Sequence, residues 1–276
     1  MANSKIEWTD KVWNPSTGCT KVSAGCKNCY AEVIAKRFWK ERKFTDVICH
    51  EDRLTQPLHW KKPAKIFVNS MSDLFHEKVP FAFIDSVYEV MGFSTQHIFQ
   101  ILTKRPERAL EYYNWTNIFK AWSKWEHIWL GVSVENQQTA DERIPLLLQA
   151  PAAVRFLSAE PLLGKIIIPK ISYRKIGQIC SSCSGNGYYS DNFKTTCPDC
   201  KGSGKNPTGL NWIICGGESG TNARPMHPDW VLSLRDQCKE SHVPFFMKQI
   251  CDVKGRKLSF ESIPEDLQIR EFPHVG

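Results

Sequence analysis

The sequence lacks any long apolar run. No stretch of its 276 residues approaches the roughly 20 consecutive apolar residues that a transmembrane helix requires. The N-terminal segment MANSKIEWTD also lacks the basic flank and apolar core of a signal peptide. With 42% hydrophobic and 24% charged residues, the composition is that of an ordinary soluble globular protein. We therefore expect a cytoplasmic protein that makes no contact with a membrane.

Acidic residues are in mild deficit. The chain has 29 Asp and Glu against 36 Lys and Arg, which gives a formal net charge of +7. This balance fits a nucleic acid or nucleotide partner, although enzymes of small anionic molecules have the same balance. The ten Trp and fifteen Phe fill a core, or some of them form surfaces on which bases stack.

A fourth cysteine is missing from the N-terminal cysteine motif. In WNPSTGCTKVSAGCKNCYAE (13–32), Cys19, Cys26 and Cys29 are spaced C-x6-C-x2-C. In a reducing cytoplasm, eleven cysteines that lie mostly in C-x2-C pairs are expected to bind metal rather than to form disulfides. Because a closed zinc site needs four ligands, the motif predicts either a distant fourth ligand or an iron-sulfur cluster with one open iron. The candidate fourth ligands are Cys49, His50, Cys215 and Cys251.

Six short apolar runs recur, most of them followed by polar residues and then by a helix-like stretch. They are KIFVNSMSD (65–73), IFQILTKRP (98–106), IWLGVSVEN (128–136), VRFLSAEP (154–161), WIICGGESG (212–220) and PFFMKQ (244–249). Near-continuous apolar strands are typical of parallel sheets covered on both faces. Helices are predicted over YAEVIAKRFWKERK (30–43), from Pro80 to Gly92, and from Pro228 onward. The pattern predicts an α/β fold with one domain, residues 1–276, that forms a complete or partial parallel β/α barrel. A doubly wound open sheet is the competing architecture.

Polar residues stand at the end of one predicted strand after another. In a β/α barrel the carboxyl ends of the strands converge on one rim, so these side chains are expected to surround a single pocket. The residues predicted to bind a cofactor there are Asn69, Ser70, Asp73, Lys104, Ser133, Glu160 and Glu218. Further strand-end residues are Thr103, Arg105, Glu135, Asn136, Ser158, Ser219, Lys248 and Gln249.

A Gly-, Ser- and Cys-rich segment, residues 172–207, interrupts the strand pattern between two predicted barrel strands. It contains CSSCSGNG and CPDCKGSG, two copies of C-x2-C-x-G-x-G. Two such pairs suit a tetrahedral zinc site, whose predicted ligands are Cys180, Cys183, Cys197 and Cys200. The repeats resemble half of the cysteine-rich region of DnaJ-type chaperones. We expect a zinc-knuckle insertion that scaffolds its loop or contacts a macromolecule.

The N-terminal motif resembles the cluster-binding loop of the radical S-adenosylmethionine enzymes, which lies between the first barrel strand and a helix. The resemblance implies that Cys19, Cys26 and Cys29 hold a [4Fe-4S] cluster whose open iron chelates S-adenosylmethionine. It also implies an electron donor and a 5'-deoxyadenosyl radical that abstracts hydrogen. That family has C-x3-C-x2-C with an aromatic residue before the third cysteine, where this chain has Asn28. Its Gly-Gly-Glu motif follows the second strand, whereas GGE here (216–218) occurs near the sixth strand, if a first strand before Cys19 is counted ahead of the apolar runs.

More of the chain resembles a phage- and mobile-element-associated family of three-Cys-motif proteins. The matching stretches are WNPSTGCTKVSAGCKNCYAE, FVNSMSDLFHEKVP, LTKRPER, RFLSAEPLLG, GGESGTNARPMHPDW and VPFFMKQ. Members tend to be accompanied by a separate partner protein, so the resemblance implies a complex.

The combined patterns predict a radical S-adenosylmethionine enzyme that modifies or repairs a nucleic acid or nucleotide. One alternative is a non-enzymatic, metal-stapled nucleic-acid-binding protein in which both cysteine sets are structural. Another is hydrolysis in a barrel by Asp73, His76 and Glu218, for which the sequence offers no organised motif. The sequence leaves open the substrate, the fate of S-adenosylmethionine and the oligomeric state.

Overall fold

The computed structural model describes residues 4–118, 125–168, 209–220, 222–251 and 256–273. The strands in these residues are β1 (Lys11–Trp13), β2 (Ser16–Thr17), β3 (Ile48–Cys49), β4 (Lys65–Val68), β5 (Ile98–Thr103), β6 (Ile128–Ser133), β7 (Val154–Ala159), β8 (Trp212–Gly216) and β9 (Phe245–Gln249). The helices are α1 (Tyr30–Phe38), α2 (Phe81–Phe93), α3 (Pro106–Trp115), α4 (Gln137–Leu147) and α5 (Pro228–Ser241). Among the described residues, no helix is both long and apolar enough to cross a membrane.

Seven of the strands form one sheet in the order β1-β4-β5-β6-β7-β8-β9, and all its neighbours are parallel. The spatial order follows the chain order throughout. A doubly wound sheet reverses its strand order at a switch point, so that alternative is wrong. Strands β2 and β3 form a separate antiparallel pair beside the sheet.

The sheet curls into a partial barrel. The ring of Trp8 lies 4.7 Å from the ring of Phe67 on β4 and 6.2 Å from that of Trp212 on β8. Strands β4 and β8 are four positions apart in the sheet, which in a flat sheet would separate them by about 19 Å. One indole reaches both only because the sheet bends around it. Within the described residues β1 and β9 are the two edges of the sheet, so these strands form a barrel that is not closed.

Side chains alternate between the inside of this barrel and the layer under the helices. On β7, Val154 and Phe156 belong to the aromatic cluster inside the barrel, while Leu157 belongs to the larger outer core. Gly131 on β6 makes room for Phe156, because a Cβ at that position would lie 2.4 Å from its ring. Near the carboxyl ends of the strands the inward-facing residues are polar, for example Ser133 on β6 and Ser158 on β7, and they line a cavity there.

The helices begin close to their predicted positions. Pro228 is the first residue of α5, and His227 caps it by accepting a hydrogen bond from the Asp229 N–H. Helix α2 begins one residue after Pro80. Helix α1 ends at Phe38, five residues before the predicted stretch ends, and Lys40 adopts a left-handed φ of 53° that a helix cannot continue through.

Candidate functional site

A cavity of about 370 Å³ opens at the carboxyl ends of the parallel strands. Its apolar side is formed by Trp8, Phe67 and Leu102 from inside the barrel. Its polar side includes Cys26, Asn28, Cys29, Tyr30, Lys104, Ser133, Ser158, Glu160, Glu218, Lys248 and Gln249. An apolar cavity of this size with a few convergent polar groups is the usual form of a small-molecule site.

Four of the seven residues predicted to bind a cofactor line this cavity: Lys104, Ser133, Glu160 and Glu218. Their convergence follows from the two-residue period of a strand. Lys104 stands two positions after Leu102, and Ser133 stands two after Gly131, so both point into the barrel. Cys26 and Cys29 line the same cavity.

The other three predicted residues, Asn69, Ser70 and Asp73, are absent from the described lining and bond to the fold beside it. Asn69 has a left-handed φ of 62°, and its amide bonds to the N–H and hydroxyl of Ser16. The Ser70 carbonyl accepts the Tyr30 hydroxyl. The buried carboxylate of Asp73 accepts four hydrogen bonds. Two come from the side chains of Thr103 and Arg105, and two come from the backbone N–H groups of Phe75 and Lys104.

Three arginine–carboxylate pairs, here called clamps, fasten the cysteine loop, defined here as residues 18–29, to the strand ends. The first pair holds Cys19. Arg105 Nη1 lies 3.2 Å from Asp73 Oδ2 and 3.6 Å from Cys19 Sγ. Arg105 Nη2 donates to the carbonyl and hydroxyl of Thr20.

The second pair holds the turn before Cys26. Glu135, fully buried after β6, accepts the Gly25 N–H at 3.1 Å through Oε1. Its other oxygen lies 3.2 Å from Arg143 Nη1, which also donates to the Ser133 carbonyl. A Cβ on residue 25 would lie only 3.1 Å from the Glu135 carboxyl carbon, so glycine permits this approach.

The third pair holds the segment between Cys26 and Cys29. The Asn28 amide donates to Glu218 Oε2 at 2.9 Å and to the Asn222 carbonyl at 2.8 Å. Arg224 donates to both carboxylate oxygens of Glu218, from Nε to Oε2 at 2.9 Å and from Nη2 to Oε1 at 2.6 Å. Burial acts to raise the pKa of Glu218, but the hydrogen bonds from Arg224 and Asn28 outweigh it and hold that pKa below its usual range. Glu218 is therefore a charged anchor for the loop.

The thiols of Cys19 and Cys26 are close enough for the charge of one to raise the pKa of the other. Burial, followed by the negative charge of Asp73, raises the pKa of Cys19 to about 11 against the opposing effect of Arg105. At neutral pH the thiol is protonated, so metal binding there would release a proton. In the described part of the chain, no three His, Cys, Asp or Glu side chains are already arranged to hold a metal ion.

The remaining cysteines divide into core and peripheral positions. Cys215 and Cys238 are buried in the outer hydrophobic core, which removes Cys215 from the candidate fourth ligands. Cys49 lies on β3 opposite Ser16, and its neighbour His50 bonds to the Thr17 hydroxyl at 2.7 Å. Cys49 and His50 thus lie beside the strand that leads to Cys19. The predicted zinc ligands Cys180, Cys183, Cys197 and Cys200 lie outside the described residues, as does nearly all of the predicted insertion.

Positive charge remains in the cavity after its ion pairs are counted. Lys248 Nζ lies 2.6 Å from Glu160 Oε1, and Lys257 pairs with Glu7. Lys5 and Lys104 also line the cavity, and neither has a carboxylate partner among the described residues. The site therefore favours a ligand that carries negative charge.

Sequence reasoning missed Arg143, because an arginine in the middle of a helix gives no local sign of a buried carboxylate partner. It also missed Lys5 and Trp8, which precede the first strand and still reach the cavity.

The profile of the DUF5131 family, described as a protein of unknown function, matches residues 3–266. No curated protein and no solved structure matches the chain. The family profile spans nearly the whole sequence, including β1 to β9 and the cysteine loop. The chain is therefore a member of the DUF5131 family.

Proposed function

We propose that the protein is a radical S-adenosylmethionine enzyme whose [4Fe-4S] cluster is held by Cys19, Cys26 and Cys29. One observation carries the proposal. Three cysteines share one loop between the first parallel strand and α1, and two of them line the cavity at the carboxyl rim. The sequence resemblance to radical enzymes supports it, since their cluster loop has the same place in the chain.

The donor set fits such a cluster chemically. Thiolates are the usual ligands of iron-sulfur clusters, and three of them leave one iron for another ligand. The three arginine–carboxylate pairs hold the loop against the strand ends, so Cys19, Cys26 and Cys29 are the residues that would bind the cluster. When bound and reduced, the cluster would supply the electron that cleaves S-adenosylmethionine into methionine and a 5'-deoxyadenosyl radical.

The cavity residues have distinct roles in this proposal. Lys104 pairs with the carboxylate of S-adenosylmethionine, because Arg105 is already engaged by Asp73, Glu77 and Thr20. Glu160, held by Lys248, accepts from the ribose hydroxyls or the amino group. The wall of Trp8 and Phe67 keeps water away from the reacting atoms. Glu218 acts as a positioning residue through Asn28.

The substrate class remains the one proposed from the sequence, a nucleic acid or nucleotide. The net charge of +7 supports it, as do Lys5 and Lys104, which have no carboxylate partner in the described part of the chain. The zinc insertion, the phage association and a separate partner protein remain proposals from the sequence.

Iron and sulfide analysis after anaerobic reconstitution tests the proposal. We expect about four irons per chain in the wild type, and their loss in Cys26→Ala. Cys49→Ala is the matched control, since Cys49 is also half-buried but lies outside the loop; it should keep its iron. Zinc bound at the N-terminal loop of the wild type, without iron, would refute the proposal. It would favour the metal-stapled binding protein, with Cys49 or His50 as the fourth ligand.

A further inference from the structure

The outer face of α1 is apolar and exposed to solvent. Tyr30 is 50% exposed, Val33 64% and Phe38 65%, and Ile34 is exposed between them. The same helix turns Ala31 and Ala35 inward, where both are buried. A helix on a folded body ordinarily buries its large apolar side chains and exposes its small or polar ones. Helix α1 does the reverse, which marks its outer face as a contact surface.

This face lies in the most basic part of the chain. Residues 20–43 contain seven Lys and Arg against two Glu, which accounts for +5 of the net charge of +7. Lys21 and Lys36 share the carboxylate of Glu32. Arg37 and Lys40, by contrast, have no carboxylate partner among the described residues. The partner that fits such a surface carries negative charge at closely spaced positions.

The face is continuous with the cavity. Tyr30 is both the first residue of α1 and part of the cavity lining. From Tyr30 the exposed face extends eight residues to Phe38, a distance of about 12 Å along the helix axis. Aromatic rings therefore stand at both ends of a short basic track that begins at the cavity mouth. Lys104 continues the positive charge into the cavity.

We infer that α1 and the cavity mouth bind single-stranded nucleic acid, with one base directed into the cavity and flanking nucleotides along the helix. Exposed aromatic rings stack on unpaired bases, and neighbouring cations contact the phosphates; this combination is typical of single-strand binding surfaces. Bases in a duplex are already stacked and paired, so a duplex gains little from Tyr30 and Phe38. The inference deepens the proposed function and rests on it for the statement that the bound strand is the substrate.

Fluorescence anisotropy with labelled 12-nucleotide DNA and RNA, single-stranded and as duplexes, tests the inference. We expect the wild type to bind at least one single strand more tightly than the corresponding duplex. Phe38→Ala should weaken that binding by about tenfold, which is the effect of losing one stacked base. The double variant Arg37→Gln/Lys40→Gln should lower the slope of log K against log salt concentration by about 1.4, as expected for two lost phosphate contacts.

Matched controls lie at the opposite end of the barrel. Phe93 is also 65% exposed but lies at the end of α2, so Phe93→Ala should bind within twofold of the wild type. Lys61 and Lys62 are exposed before β4, and their double Gln variant should keep the wild-type salt slope. Equal affinities of Phe38→Ala and Phe93→Ala, or no binding at 50 mM salt, would overturn the inference and leave this face to a protein partner.

Iron content is measured on the same preparations. Iron-loaded protein that does not bind a strand refutes only this inference. A wild type without iron that still binds through Phe38 refutes only the proposed function.

Discussion

Removing the arginine from the buried Glu135–Arg143 pair should destabilise the protein strongly. Glu135 is fully buried, and among the described residues Arg143 is the cation within ion-pair distance of it, while Arg224 senses its charge from farther away. In Arg143→Met the Gly25 N–H is the one hydrogen-bond donor that the described residues leave to this carboxylate. Breaking one side of a buried ion pair costs about 3–5 kcal/mol. We expect a loss of that size in the free energy of unfolding, measured by urea denaturation with tryptophan fluorescence.

A second variant separates the effect of the pair on the free energy of unfolding from its effect on the position of the cysteine loop. Glu135→Leu/Arg143→Met replaces the pair with apolar side chains, and we expect it to regain about 2 kcal/mol or more relative to Arg143→Met. The Gly25 N–H, however, then has no acceptor. We therefore expect the Cys26 thiol of the double variant to react with N-ethylmaleimide faster than that of the wild type, as measured by mass spectrometry of its peptide.

An exposed pair provides the control. Arg235 pairs with Asp236 and Asp266, whose side chains are 62% and 58% exposed. Exposed pairs of this kind contribute about 0–1 kcal/mol. If Arg143→Met cost no more than Arg235→Met, or if the double variant gained nothing over the single one, the reasoning about the buried clamp would be wrong.

Three further predictions concern packing, pH and the third clamp. Gly131→Ala places a methyl group 2.4 Å from the Phe156 ring, so it should lower stability by about 1–3 kcal/mol in a thermal melt; an unchanged melting temperature would contradict the packing. Between pH 9 and 11 the free energy of unfolding of the metal-free wild type should fall by roughly 2 kcal/mol more than that of Cys19→Ser. The pKa of Cys19 rises from 9.0 when unfolded to about 11 when folded, so the folded state holds the proton longer and alkali favours unfolding; parallel pH profiles would argue against it. Asn28→Ala should speed amide hydrogen exchange in residues 24–29 without changing the exchange of β7, because it removes the hydrogen bond to Glu218. Equal exchange rates in the wild type and Asn28→Ala would contradict a role for that hydrogen bond in holding the loop.

The strands could be predicted because their apolar runs are local. Six runs read from the sequence correspond to β4 to β9. The inward positions Lys104, Ser133, Ser158 and Lys248 follow from the two-residue period once the strand direction is known. Parallel order then brings them to one rim, because successive strands are neighbours.

The two-residue period of a strand no longer predicts where side chains point once the backbone leaves the strand. Asn69 directly follows Val68 of β4, but its left-handed φ redirects the chain, so Asn69 and Asp73 bond to the fold instead of lining the cavity. The clamps could not be predicted for another reason. Gly25 and Glu135 are 110 residues apart, and Asn28 and Glu218 are 190 apart. Such pairings depend on the completed barrel, and no local pattern in one sequence records them.

The most direct test of the proposed chemistry is the EPR spectrum of the anaerobically reconstituted, dithionite-reduced protein, recorded with and without S-adenosylmethionine. We expect a reduced-cluster signal that shifts when S-adenosylmethionine binds the open iron. In Lys104→Gln the signal should remain, but a higher concentration of S-adenosylmethionine should be needed to shift it. A cluster signal that does not respond to S-adenosylmethionine at any concentration, or a protein with zinc and no iron at the cysteine loop, would contradict the proposal.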